Sequence, residues 1–126
     1  SIIELFNQSE GSIYIEISNN PLMAATGHSY AGSILKAAGF DIMTPSTSPY
    51  STVSQEFIID YNPDIIIVMS KDRDISSRMG WKHIEAVRKN RIIYSTESEI
   101  DVLSRPGPGL LEAIDILRGY IESIED

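Results

Sequence analysis

Thr26-Gly27-His28-Ser29-Tyr30-Ala31-Gly32-Ser33 places two glycines at the spacing of a phosphate-cradling loop, between an extended segment and a helical one. Such a loop needs a lysine to meet the phosphate charge. Ala31 and Gly32 stand just before Ser33, so that lysine is missing. The plainer reading is a glycine-assisted turn into a helix. His28 and His83 are the only histidines. A stable metal site gathers three or four ligands, so His28 reads as a turn residue or hydrogen-bond donor and His83 as solvated. Tyr30 and Tyr50 lie in loops, where a tyrosine ring can stack on a flat ligand. Arg105 precedes the rigid segment Pro106-Gly107-Pro108-Gly109, and a guanidinium grips a carboxylate or phosphate with two prongs. The alternative for Arg105 is a surface pair with Glu97, Glu99 or Asp101. Asp72 and Asp74 flank Arg73 in a polar loop and read as a solvated charge run.

Catalysis finds little support. The chain has no Gly-x-Ser-x-Gly elbow, no His-Glu-x-x-His and no obvious acid–base pair. Pro63 to Met69 is similar to the phosphoacceptor strand of receiver domains, but Met69 stands where the acceptor aspartate would fall, and a thioether takes no phosphoryl group. With 18 acidic against 10 basic residues the formal charge is -8, which disfavours a nucleic-acid partner. The absence of cysteine excludes disulfides and thiolate chemistry. Ser1 to Phe6 lacks the basic and apolar regions of a signal peptide, and no apolar run approaches the roughly 20 residues of a membrane span.

The elements that must hold these residues are organised around Val53 to Met69. Ser54 can cap a short helix, and Glu56 sits in its first turn, where the helix dipole favours an acid. Phe57, Ile58 and Tyr61 give that helix an inner face. Asn62-Pro63-Asp64 ends it. Ile65-Ile66-Ile67-Val68-Met69 then has no polar alternation, as a strand covered on both faces requires.

Upstream, Ser1 to Gln8 reads as the last turns of a helix, and Ser12 to Ser18 as a strand with one more polar face. Leu22 to Ala25 is an extended piece, and a helix capped by Ser29 ends at Gly39. Phe40 to Met43 is a weak strand, and Thr44 to Thr52 a polar loop. Downstream, Ser70 to Gly80 is irregular and Trp81 to Asn90 an amphipathic helix with Ile84 and Val87 inward. Arg91 to Ser95 is a strand and Thr96 to Ser104 an acidic loop. A final helix carries the stripe Leu110, Ile114, Leu117, Ile121 and Ile124. This alternation predicts one α/β domain, a three-layer Rossmann-like lobe with a mainly parallel four- or five-stranded sheet and helices on both faces. Ligands of such sheets lie beyond the carboxyl ends of the strands, which here lead into Thr26–Tyr30, Ser70–Arg73 and Thr96–Arg105.

Five segments in order then match a known family. They are Ser33–Gly39, Val53-Ser54-Gln55-Glu56, Asn62–Val68, Trp81–Tyr94 and Ser104-Arg105-Pro106-Gly107-Pro108. Together they resemble the carboxyl-terminal lobe of the substrate-binding proteins of ABC importers for iron–siderophore, haem and cobalamin, whose two lobes are joined by one long helix. The resemblance implies half of a ligand clamp and no enzyme or resident cofactor. It implies an amino-terminal lobe preceding residue 9, with residues 1–8 ending the linking helix. It implies a metal chelate as ligand, an ABC permease as partner, and a periplasmic or extracellular location, with or without a membrane anchor. It assigns permease docking to Glu56 and ligand contact to Tyr50 and Arg105, with His28 and Tyr30 after the first strand. The family often has an arginine where this chain has Gly109, so one anionic contact is lost. The alternative is a small regulatory or enzymatic α/β domain that binds a nucleotide or phosphate.

Overall fold

The computed structural model describes Phe6 and residues 10–125. The expected linking-helix turns lie outside those residues, apart from Phe6, which is buried and meets Phe40 edge-on at 6.0 Å between ring centroids. Strands β1 (Ser12–Asn19) and β2 (Leu22–Ala25) form an antiparallel hairpin across a cis Asn20-Pro21 bond. Helix α1 (Tyr30–Ala37) leads to β3 (Asp41–Ile42), and β4 (Tyr50–Thr52) to α2 (Gln55–Tyr61) and β5 (Ile65–Val68). Then come α3 (Glu85–Arg88), β6 (Ile92–Tyr94), α4 (Glu97–Leu103) and α5 (Leu110–Ser123).

The six strands form one sheet in the order β4-β2-β1-β5-β6, with β3 beside the start of β1. Strands β1, β5 and β6 are parallel, with Ile13 opposite Ile65 and Ile66 opposite Ile92. Their carboxyl ends therefore share one edge. The sheet exceeds the expected strand count because Leu22–Ala25 and Tyr50–Thr52 pair with one another at its margin. Three or four residues are too few to show alternation in sequence.

Side chains alternate across the sheet. Ile13, Ile15, Ile65 and Ile67 face α1 and α5, whereas Tyr14, Ile66 and Val68 face Ile58, Trp81 and Ile84. Burying each such aliphatic side chain contributes about 1.5–3 kcal/mol, so β1 and β5 help to hold both layers to the sheet. The supposedly polar face of β1 is also covered, since Tyr14 and Glu16 are both 0 % exposed. Glu16 tolerates that burial because every lone pair it offers is met. Tyr14 Oη donates to Oε1 at 2.9 Å, Ser70 Oγ to Oε2 at 2.5 Å, and Arg78 binds both oxygens at 2.7 and 2.9 Å.

Four further expectations need correction. Trp81 to Asn90 is not one helix: a 3-10 turn at Trp81–His83 is separated from α3 by Ile84 in extended geometry. The break lets Ala86 N–H reach Pro63 O at 3.1 Å and Glu85 N–H reach Asn62 Oδ1 at 2.8 Å, so tertiary bonds outcompete helix continuation. The acidic loop is largely α4, started by a reciprocal cap in which Thr96 Oγ1 accepts from Glu99 N–H and Glu99 Oε1 accepts from Thr96 N–H. Phe57 is 43 % exposed, because α2 is short and lays only Ile58 fully against the core. In α5 Leu110 is exposed and Ile124 only partly buried; the inner face is Ala113, Ile114, Leu117, Tyr120 and Ile121.

The buried phenols set a pH response. Burial, reinforced by the Glu16 charge, raises Tyr14 far above the usual tyrosine value. Burial also raises Tyr61 and Tyr120. Each folded-state value exceeds the unfolded one, so this stability is fully present below pH ~10 and is lost as pH rises beyond it. Above that point Tyr14 alone should remove about 1.4 kcal/mol per pH unit. Urea melts at pH 8 and pH 11 check this; equal midpoints would refute it.

Candidate functional site

The shared carboxyl edge of the parallel strands is hollow. Ser70 and Lys71 follow β5, and Ser95 and Thr96 follow β6. With Arg73 and Glu97 they bound a cavity of about 520 Å³. A second hollow of about 480 Å³ shares Ser70 and Lys71 and extends to Ser18 and Asn19 at the end of β1. Between them and α1 lies a small cavity of about 20 Å³, lined by Ile17, Tyr30, Tyr50, Met69 and Leu103.

Tyr30 and Tyr50 therefore meet at one point. Tyr50 is 46 % exposed. The Tyr30 hydroxyl is buried without a hydrogen-bond partner among the described residues. Leaving such a group unpaired costs about 1–3 kcal/mol. His28 is exposed, with its N–H bonded to Thr26 Oγ1 at 3.1 Å, and it lines none of these three cavities. Arg105 lies beside a separate hollow with Pro106 and Pro108, where its Nη2 binds Asp101 Oδ1 at 2.6 Å. That is the surface pair weighed from sequence.

Glu56 is exposed in the first turn of α2. Ser54 Oγ caps the turn by accepting from Phe57 N–H at 3.1 Å. The neighbouring Gln55 is fixed by Trp81 Nε1, which donates to Gln55 Oε1 at 2.9 Å. Glu56 thus projects from a turn anchored to the core.

The glycine pair of the phosphate-like loop has a packing cause. A Cβ on Gly32 would lie 2.0 Å from Thr26 O, so only glycine lets α1 start this close to the preceding chain. Lys71 and Arg73 line the larger cavity but were not among the candidate residues named from sequence. Their segment was recognised as following a strand end, but the alternating charges around Arg73 made it read as solvated surface. Among the described residues no group of three or more His, Asp or Glu could hold a metal ion, and no helix is long and apolar enough to cross a membrane.

A family model described as "Periplasmic binding protein" matches residues 2–99. The chain belongs to that family. Its members are binding proteins, not enzymes. Solved structures share the fold. A possible iron-binding (periplasmic solute-binding) protein from Staphylococcus epidermidis ATCC 12228 is 27% identical with a TM-score of 0.79, over 95% of this chain and 49% of its own. The periplasmic vitamin B12 binding protein BtuF of Vibrio cholerae is 18% identical with a TM-score of 0.73, over 98% and 49%. S. aureus IsdE, solved in complex with haem, is 19% identical with a TM-score of 0.75, over 95% and 52%. The chain thus spans about half the length of these periplasmic binding proteins. No curated protein matches it.

Proposed function

We propose that this chain is the carboxyl-terminal lobe of a two-lobe substrate-binding protein that captures a metal chelate for an ABC importer outside the cytoplasmic membrane. The observation that carries this reading is the family match on a lobe whose parallel strands end on a hollowed rim. Neighbours of the same fold are named for iron, vitamin B12 and haem. An amino-terminal lobe closes the cleft. Tyr30 and Tyr50 contact an iron–siderophore, haem or corrinoid there, and His28 flanks them. Arg105 joins by exchanging Asp101 for the ligand. The exchange is cheap, because exposed ion pairs contribute only about 0.2–1 kcal/mol.

Since one lobe supplies half of a cleft, the isolated lobe should bind haemin, cyanocobalamin or a ferric siderophore far more weakly than the two-lobe protein. Calorimetry giving equal affinities would defeat this reading.

Glu56 docks on the permease. Its exposure and its anchored turn support that role. Glu56→Ala should lower transport at least tenfold, the loss of about one charge-assisted contact, with chelate affinity unchanged. Normal uptake by the variant in a transport assay would remove the docking role.

A further inference from the structure

We infer that Lys71 and Arg73 form an anion-binding subsite, so that the chelate held at this rim presents a negatively charged oxygen group. The inference rests on the binding-protein reading above and narrows it to one ligand chemistry.

Arg78, Arg88, Arg105 and Arg118 each hold a carboxylate. Among the described residues Arg73 and Arg91 hold none, and of the two only Arg73 lines the rim cavity, in a chain where acids outnumber bases 18 to 10. It is nevertheless fixed. Its Nη1 donates to Ser95 O at 2.8 Å, its Nη2 donates to Ser70 O, and its guanidinium lies 5.6 Å from the centroid of the Tyr94 ring. Two carbonyls and a ring orient a guanidinium without neutralising it, and among the described residues three of its five N–H donors take no partner. The neighbouring acids are turned elsewhere. Asp72 binds Arg78 and accepts from Asp74 N–H, while Asp74 accepts from the Ser76 and Ser77 hydroxyls.

Lys71 borders both large hollows, is exposed, and forms no ion pair among the described residues. Glu97 borders the larger hollow and pairs with neither cation. The larger cavity therefore carries two positive groups against one negative, in a protein of formal charge -8. An oxyanion entering it gains charge-assisted hydrogen bonds from a preoriented fork. Arg105, by contrast, must first give up Asp101 to take an anion.

The test is calorimetry on the two-lobe protein with four probes. Haemin offers carboxylates and a ferric tris-catecholate offers catecholate oxygens. Cyanocobalamin offers a phosphodiester, and a ferric trihydroxamate carries no such anionic group. At least one anionic probe should bind. Arg73→Gln and Lys71→Gln should each weaken it by about tenfold to a hundredfold, the range of a charge-assisted contact, and should flatten its salt dependence. Binding of haemin alone assigns a carboxylate, and of the catecholate alone a catecholate. Lys71→Gln alters an exposed, unpaired residue, so it separates ligand loss from misfolding of the Arg73 variant. Variants that bind the anionic probe as tightly as the parent would overturn the subsite alone, as would a parent that binds only the trihydroxamate. A parent that binds none of the four would overturn the binding-protein reading and the subsite together.

Discussion

Replacing Arg78 with alanine should cost the fold about 3–5 kcal/mol, because it strands a buried carboxylate. Glu16 is fully buried in the middle of the sheet. Arg78 supplies two of its four contacts, bridges to Asp72 at 2.9 Å, and lies 4.5 Å from the centroid of the Trp81 ring. The Tyr14 and Ser70 hydroxyls remain in the variant but carry no full positive charge. Urea denaturation should show a much lower midpoint with an unchanged slope, the signature of lost stability rather than a changed unfolded state. The double variant Glu16→Gln, Arg78→Met removes both charges and should recover most of the loss. A loss below about 1 kcal/mol for Arg78→Ala would mean that the pair behaves as an exposed one.

Gly32→Ala should be nearly as damaging. The new methyl would lie 2.0 Å from Thr26 O and 2.8 Å from Ser29 Oγ. Thr26 O already accepts from Ser29 N–H at 3.0 Å and from Ser29 Oγ at 2.7 Å, and Ser29 Oγ in turn accepts from Gly32 N–H at 3.0 Å. The methyl therefore strikes backbone and the α1 cap together. Overpacking costs about 1–3 kcal/mol, and loss of the cap about 1 kcal/mol more. Gly119 in α5 is the control, since a Cβ there meets nothing within 4 Å. Gly119→Ala should stabilise by roughly 0.5–1 kcal/mol. Thermal melts in which both variants shift alike would show that the close approach at Gly32 is unimportant.

The fold was legible where one local signal dominated. The isoleucine run gave β5, Ser29 and Ser54 gave two helix starts, and Asn62 before Pro63 gave a helix end. It was illegible where distant bonds decide. Nothing within Trp81 to Asn90 announces that Pro63 O and Asn62 Oδ1 will claim its amides. The α4 helix was readable, however: Thr96-Glu97-Ser98-Glu99 carries a cap signature that the acidity of the segment obscured. Of the candidate site, Tyr30 and Tyr50 do line one cavity, a proximity hidden by the chain between them. Glu16 could not be foreseen as buried, because its partner Arg78 lies 62 residues away.

Trp81 is the only tryptophan in the chain and is 0 % exposed. All indole emission therefore comes from one spot, with a guanidinium over the ring and its N–H tied to Gln55, the residue beside Glu56. That spot should glow in the blue and resist quenching by dissolved iodide. A partner that disturbs the start of α2 would change its colour directly. The molecule thus carries its own optical gauge for the face that bears Glu56, with no label attached.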